Sequence, residues 1–234
     1  MNYKIKLDNI KKIEIKNIKG GSISYQIMRK YKPDFLINLA LYDTTTGINI
    51  TKMKVDGEDS GYLFSDYGLC FDDKIEFNEI NDEIQNFVSG SPVLIKDSQE
   101  FIDWGNKYSS YIDGEHKRSC VGFNQDELIL YNSDEALNLE DTVKECLELG
   151  MEFGINLDGG GSCHLQDSYD VLNKSFRNNV SWLLVYLKDE EVLEHEVEYG
   201  VNVHSFSTKE SATDFSNELK EKYNAYSQVY EIKK

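Results

Sequence analysis

The stretch from Asp158 to Ser162 carries the residue types in this sequence that are best suited to chemistry. It reads Asp-Gly-Gly-Gly-Ser, so a carboxylate, bare backbone and a hydroxyl follow one another directly. Consecutive glycines lose much conformational entropy on folding, and they are expected where the backbone turns sharply or approaches a ligand. Their N–H groups can also cradle an anion. A tight turn leaving a sheet is the alternative, and the flanking carboxylate and hydroxyl favour a site over it.

The residues just before this stretch are expected to position it. Phe153, Ile155 and Leu157 alternate with smaller or polar residues, which predicts a short buried strand ending on the carboxylate. Upstream, Asn138 is a suitable N-cap and Gly150 a suitable stop for a helix that ends at Leu149. A helix between consecutive strands is typical of layered folds that mix helices and sheets.

Other strands carry two more polar residues of interest. The apolar run 35–41 contains Asn38, which needs hydrogen-bond partners if it is buried, either as a structural clamp or as part of a site. Residues 118–123 and 128–131 read as a hairpin whose first strand begins with Arg118. We therefore predict an α+β fold with a mixed β-sheet core and packed helices. This domain is expected to span residues 1–188.

The chain changes character after Lys188. Residues 189–196 are acidic and polar, and apolar residues then alternate from Val197 to Val203. Ser207 and Glu210 form a capping box for a helix, and a last strand follows. The sequence therefore predicts a small C-terminal β-α-β appendage over residues 189–234.

Composition excludes several classes of partner. The net charge of −17 disfavours nucleic acid, and no apolar run approaches the ~20 residues that a membrane span needs. The N-terminus lacks the apolar region of a secretory signal peptide, so we expect a cytoplasmic protein, or a phage-encoded one released without such a signal. Four widely spaced cysteines favour reduced thiols. His164 follows Cys163, but without a second spaced ligand pair we predict neither a metal nor a cofactor.

The stretch from Asn156 to Ser162 resembles the signature of the phosphodiester glycosidase family. Weaker resemblances occur in the family's order at 35–42, matching at Asn38, at 89–94, at 117–122 around Arg118, and at Asn173 and Arg177. Together they cover roughly residues 23–188. The sequence departs from the family pattern in having Leu-Ala-Leu-Tyr at 39–42, where glycines and aromatics are usual, and Cys163 in place of a second serine or threonine.

The resemblance implies a hydrolase that cleaves a sugar-1-phosphodiester at the anomeric carbon and releases the sugar and a phosphomonoester. The developing oxocarbenium ion needs a carboxylate, and the departing phosphate needs cations and N–H donors. The expected catalytic residues are Asp158, Arg118 and Ser162. The expected substrate-binding residues are Asn38, Gly159, Gly160, Gly161, Asn173 and Arg177. The expected partner is a carbohydrate phosphodiester, and a bacterial or phage origin would suit glycan targets; the oligomeric state is left open.

Two other functions fit the same residues. The Leu39-Ala40 departure and the C-terminal unit favour a non-catalytic sugar-phosphate or glycan-binding module, or a structural component of a larger assembly. A metal- or phosphate-binding glycine loop in an unrelated fold would require the weaker blocks to be coincidental.

Overall fold

A computed structural model of the chain describes residues 1–103 and 113–188. Within these residues the chain forms sixteen β-strands and two α-helices. The first eight strands are β1 (Asn2–Lys6), β2 (Ile10–Ser22), β3 (Phe35–Asn38), β4 (Met53–Val55), β5 (Glu58–Ser60), β6 (Tyr67–Phe71), β7 (Ile75–Glu79) and β8 (Phe87–Ser89). The others are β9 (Val93–Lys96), β10 (Gln99–Asp103), β11 (His116–Phe123), β12 (Glu127–Leu137), β13 (Phe153–Asn156), β14 (Leu165–Asp167), β15 (Val171–Asn173) and β16 (Asn179–Leu187). The helices are α1 (Ser24–Tyr31) and α2 (Leu139–Glu148).

These strands form three antiparallel sheets. The first sheet has the order β1-β12-β11-β13-β9-β10, the second β15-β14-β3-β16-β2, and the third β5-β4-β8-β6-β7. Each pairing between the named strands of the described residues is antiparallel. The predicted α+β fold, with helices packed into a mixed core, is therefore wrong. The fold is built mainly of antiparallel β-sheet.

The error has a topological cause. The helix predicted before the glycine stretch exists as α2, and it joins β12 to β13 as expected. However, β11 lies between these two strands in the sheet and pairs antiparallel with both of them. The helix thus passes over a strand that precedes it in the sequence. Local patterns show that a helix connects two strands, but they do not show which strand separates them.

One buried apolar core lies between the inner faces of all three sheets. Because side chains alternate along a strand, every second residue of the central strands enters this core. Its members include Val93, Val121, Leu130 and Ile155 from the first sheet, Ile37, Leu165, Leu183 and Val185 from the second, and Met53, Leu69 and Val88 from the third.

The two helices cover outer faces of the sheets. Cys120, on the opposite face of β11 from Val121, packs with Val143 and Cys146 of α2. Trp182 of β16 packs with Ile27 of α1 in the same way on the second sheet. The predicted caps of α2 are confirmed: Asn138 accepts a hydrogen bond from the Asp141 amide at 2.8 Å, and Gly150 follows with φ +89°.

Residues 1–188 form one compact unit. The β-α-β appendage predicted for 189–234 lies outside the described residues. Within the described ranges, no helix is long and apolar enough to cross a membrane.

Candidate functional site

The glycine stretch is held where the first and second sheets meet. β13 ends at Asn156, and two residues later the Asp158 amide donates to the Leu39 carbonyl at 2.8 Å. Asn38, at the end of β3, donates from Nδ2 to the Asp158 carbonyl at 2.7 Å. Its Oδ1 accepts from Ser119 Oγ at 3.0 Å and from the His164 amide at 2.8 Å.

Asn38 therefore acts as a clamp. It is 1% exposed, and its three hydrogen bonds join β3 to β11 and to both sides of the glycine stretch. The sequence predicted either a clamp or a site residue, and the structure shows the clamp. Its predicted contact with substrate stays a prediction.

Gly159 and Gly160, two of the three glycines at 159–161, are needed for different local reasons. A Cβ on Gly159 would lie 2.5 Å from the Lys117 carbonyl oxygen, which is closer than real Cβ atoms come to their neighbours. Gly160 has φ +58°, a conformation that residues with side chains rarely adopt. The amides of Gly160 and Gly161 have no acceptor among the described residues. These two N–H groups are therefore available to an anion.

The Asp158 carboxyl is strongly perturbed. Burial raises its pKa from the ordinary 3.8 to about 7, although the Ser162 side chain, the charge of Arg177 and the Gly159 amide each lower it. Asp158 nevertheless keeps partial contact with solvent. We call the half-buried surroundings of Asp158 the recess. Perturbed carboxyls in such places are frequent in catalytic sites.

Ser162 lies beside this carboxyl with its hydroxyl unpaired. Residues 160–162 form a single 3₁₀ turn, and Asn179 Nδ2 donates to the Ser162 carbonyl at 2.9 Å. The residue is 0% exposed, and its Oγ is near enough to lower the pKa of Asp158 but completes no hydrogen bond within the described residues. Because a buried hydroxyl without a partner is costly, this one is suited to receive a ligand group.

Arg177 supplies the positive charge of the site. Its Nε lies 3.2 Å from the place where a Cβ of Gly161 would be, so the guanidinium rests against the glycine backbone. Its charge lowers the pKa of both Asp158 and Tyr42. The side chain is exposed and can reach a ligand phosphate.

Tyr42 belongs to the same cluster, although no sequence pattern predicted it as a site residue. Burial and then the charge of Asp158 raise its pKa, and Ser162 and Arg177 oppose that rise. Its hydroxyl donates to the Asn178 carbonyl at 2.8 Å. The sequence did flag position 42 as part of a departure from the family pattern. Leu39 and Ala40, from the same departure, are buried in the central core rather than in the recess.

The contacts that the structure gives for Arg118 and Asn173 among its described residues do not involve the Asp158 cluster. The Arg118 side chain is 1% exposed, and it donates from Nε to the Leu137 carbonyl at 2.8 Å and from Nη2 to the Gly114 carbonyl. Burial lowers the pKa of its guanidinium. Asn173 lies in β15 opposite Leu165, with a buried Nδ2 that has no partner among the described residues. The structure thus brings Asp158, the glycines, Ser162 and Arg177 together, while the described bonds of Arg118 go to backbone carbonyls.

His164 and Cys163 do not form a nucleophilic pair. His164 Nδ1 accepts from the Ser175 amide at 3.2 Å, and Nε2 faces Gln166 Oε1 at 2.7 Å, so the ring is fixed by neighbours on both sides. Burial lowers the pKa of His164 and raises that of Cys163 to about 12. The imidazole is therefore neutral and the thiol protonated at neutral pH, so the thiol is not activated as a nucleophile.

Metal binding has no support in the described part of the chain, where no group of His, Cys, Asp and Glu is arranged to hold an ion. A groove of about 380 Å³ lies between β2 and the β4–β5 hairpin, lined by Lys16, Asp56, Glu58 and Asp59 among others. None of the residues around Asp158 lines it.

The family model for phosphodiester glycosidases matches residues 42–185, which is more than half of the 234-residue chain. The chain belongs to the phosphodiester glycosidase family. The matched range contains Tyr42, Arg118, the glycine stretch, Asn173 and Arg177, and it begins four residues after Asn38.

Solved structures with the same fold support the family's architecture. The catalytic domain of zebrafish N-acetylglucosamine-1-phosphodiester alpha-N-acetylglucosaminidase, auto-inhibited by its pro-peptide, aligns with a TM-score of 0.63 at 17% identity. That alignment covers 75% of this chain and 73% of the zebrafish chain. A hypothetical protein from Synechocystis aligns with a TM-score of 0.62 at 12% identity, over 80% of this chain and 59% of the other. At such identities the likeness concerns the fold alone. No curated protein matches the sequence.

Proposed function

We propose that this member of the family hydrolyses a sugar-1-phosphodiester at the anomeric carbon. Water supplies a hydroxyl to the anomeric carbon, the bond from that carbon to the phosphate oxygen breaks, and the bonding electrons leave with the phosphate. The products are the free sugar and a phosphomonoester, and the remaining proton goes to the phosphomonoester or to solvent.

The observation that carries this proposal is the perturbed Asp158 carboxyl beside donors for an anion. Positive charge develops at the anomeric carbon in the transition state, and a poorly solvated carboxylate stabilises it more strongly than a fully hydrated one would. Because the pKa of Asp158 is about 7, its ionised fraction rises across neutral pH. The proposal therefore predicts turnover that increases as the pH passes through about 7.

The donors around Asp158 suit the departing phosphate. The unpaired amides of Gly160 and Gly161 and the exposed guanidinium of Arg177 lie along one short segment of backbone. The departing phosphomonoester is a stable anion, so its departure needs cations and N–H groups more than it needs a second carboxylic acid. Consistently, the described groups that shift the pKa of Asp158 include no other carboxyl.

Isotope labelling tests the site of cleavage. Chromogenic sugar-1-phosphodiesters with different sugars are incubated with the full chain in ¹⁸O-labelled water. Cleavage at the anomeric carbon places the label in the sugar, and label in the phosphomonoester would instead assign a phosphodiesterase that attacks phosphorus. Binding of the diesters without turnover would support the sugar-phosphate-binding module in place of the enzyme.

Replacing Asp158 tests its part in the reaction. Asp158→Asn keeps the shape of the side chain and removes its charge, so we expect kcat to fall by a factor on the order of 10³ or more, with a smaller change in substrate binding. Asp126→Asn is the matched control, because Asp126 lies exposed in the turn between β11 and β12. A folded Asp158→Asn protein with nearly unchanged kcat would remove Asp158 from the mechanism.

A further inference from the structure

The geometry points to Phe176 as the aglycone subsite of this enzyme, with an aromatic ring as its ligand. The aglycone is the alcohol esterified to the phosphate on the side away from the sugar, and the subsite would take an aromatic ring carried by that alcohol. This inference rests on the proposed function and adds the chemical class of the leaving side of the substrate.

Phe176 is exposed although its backbone is firmly held. Its side chain is 93% exposed. The preceding residue, Ser175, donates from its amide to His164 Nδ1 at 3.2 Å, and its hydroxyl accepts from the Arg177 amide at 3.0 Å. A single exposed apolar side chain is ordinary on a protein surface. The bonds of Ser175 therefore hold the backbone on both sides of Phe176, so the point at which the ring is attached is fixed.

The ring is attached beside the proposed phosphate site. The Phe176 amide donates to the Gly161 carbonyl at 3.0 Å, and the Arg177 guanidinium lies against the same glycine. Gly161 therefore connects the aromatic residue and the cation to the loop that carries Asp158. The proposal places a group esterified to a phosphate at Arg177 beside the Phe176 ring.

The order of burial sets the direction of the substrate. Ser162 is 0% exposed and Asp158 lies in a recess, whereas Arg177 and Phe176 are at the surface. The anomeric carbon must reach Asp158, so the sugar occupies the recess. The phosphate then lies at Arg177, and the aglycone extends outwards along Phe176.

The surroundings of Phe176 favour an aromatic aglycone over a second sugar or a long alkyl chain. Sugar recognition needs hydrogen-bond acceptors as well as donors around an aromatic platform. The Ser175 hydroxyl is already bonded to backbone at Gly161 and Arg177, and the Lys174 and Arg177 side chains can only donate. Lys174 and Arg177 flank the ring in sequence and are exposed, and guanidinium groups also stack on planar rings. An extended alkyl chain would lie beside these cations without any favourable interaction with their charged groups.

A matched series of diesters tests the inference. The sugar is one that the labelling experiment finds to be cleaved, and the aglycone is methyl, benzyl, cyclohexylmethyl, a hexose linked through its 6-hydroxyl, or a nucleoside linked through its 5′-hydroxyl. All are alkyl phosphate esters, so their leaving groups have similar acidity. Benzyl and cyclohexylmethyl have similar bulk, and they separate aromatic stacking from general apolar contact.

We expect wild-type kcat/KM for the benzyl diester to exceed that for the methyl diester by on the order of tenfold, with cyclohexylmethyl between them. Phe176→Ala should bring the benzyl-to-methyl ratio close to one, and Phe176→Leu should bring the benzyl-to-cyclohexylmethyl ratio close to one. Tyr169→Ala is the matched control. Tyr169 is equally exposed, at 93%, but lies in the turn between β14 and β15. It should keep the wild-type ratios.

Several results would overturn the aromatic subsite. Equal cleavage of all the diesters by the wild type, a preference for the hexose aglycone, or an aromatic preference that survives Phe176→Ala would each do so while leaving the proposed function intact. If no diester is cleaved, the proposed function fails, and calorimetry with benzyl phosphate and methyl phosphate then decides whether Phe176 binds an aromatic ring next to a phosphate. If the wild type binds benzyl phosphate more tightly than methyl phosphate, and Phe176→Ala abolishes that difference, aromatic binding at Phe176 is supported. If the wild type binds the two phosphates equally, it is refuted.

Discussion

Neutralising Asp158 should make the protein more stable at alkaline pH. The folded-state pKa of about 7 lies above the ordinary value of 3.8, so the folded chain holds this proton more tightly than the unfolded chain does. As the pH rises from about 4 to about 7, the unfolded state loses the proton first and wild-type stability falls. Above about 7 the contribution of this group is constant. Asp158→Asn has no proton to lose, so its advantage over the wild type grows across that range.

The pKa difference sets the size of the effect. One pKa unit corresponds to about 1.36 kcal/mol, so between pH 5.5 and pH 8 the advantage of Asp158→Asn should grow by at most about 2 kcal/mol. Partial contact of Asp158 with solvent reduces this figure. For a chain of this length, 1 kcal/mol moves Tm by roughly 2–4 °C, so the variant should gain up to about 4–8 °C relative to the wild type. Measurements stay above the isoelectric point, about 4.6, to keep the chain soluble.

Thermal unfolding of both proteins at several pH values between 5.5 and 8 is the assay. Asp126→Asn is again the control, because it removes one carboxylate from an exposed turn, between β11 and β12. If the difference between Asp158→Asn and the wild type is flat with pH, Asp158 is not held in a desolvated recess. The electrostatic argument for its role at the anomeric carbon would then fail with it.

Three further predictions concern Asn38, Arg177 and Arg118. Asn38→Ala should reduce the free energy of unfolding by about 2–4 kcal/mol, because it removes three buried hydrogen bonds; chemical denaturation measures this, and a loss below about 0.5 kcal/mol would contradict the clamp. Arg177→Ala should raise KM for a phosphodiester on the order of tenfold with little change in Tm. Arg118→Ala should mainly lower Tm, because its guanidinium bonds the Leu137 and Gly114 carbonyls; the opposite pattern in steady-state kinetics and melting curves would assign the phosphate to Arg118.

Much of the candidate site could be predicted from the sequence because its central part is continuous in the chain. The carboxylate, glycines and hydroxyl of 158–162 are neighbours in the sequence. The glycines indicate an unusual backbone conformation, and the carboxylate and hydroxyl indicate a functional site. Asn38 stood out because an amide within an apolar run must find partners. Tyr42 could not be predicted, because its approach to Asp158 depends on the bond from its hydroxyl to the Asn178 carbonyl, 136 residues away. No local pattern encodes such a contact.

The fold was predicted less well for a similar reason. Individual strands, the 118–131 hairpin and both caps of α2 follow from local residue patterns, and the structure confirms them. The order of strands within a sheet depends on which inner faces fit together in the core. The position of β11 between β12 and β13 is a result of that packing, so a correct prediction of α2 still led to the wrong fold class.

The clamp at Asn38 also bears on how the protein folds. Its bonds close chain separations of 81, 120 and 126 residues, to Ser119, Asp158 and His164 respectively. Closing such long loops reduces chain entropy, and the hydrogen bonds offset this loss only once the distant partners meet. Folds dominated by such contacts therefore form slowly. Neither sheet alone contains the whole clamp. The recess around Asp158 is thus complete only after the two sheets have docked, and a chain that stops short of docking has the glycine stretch but not the site.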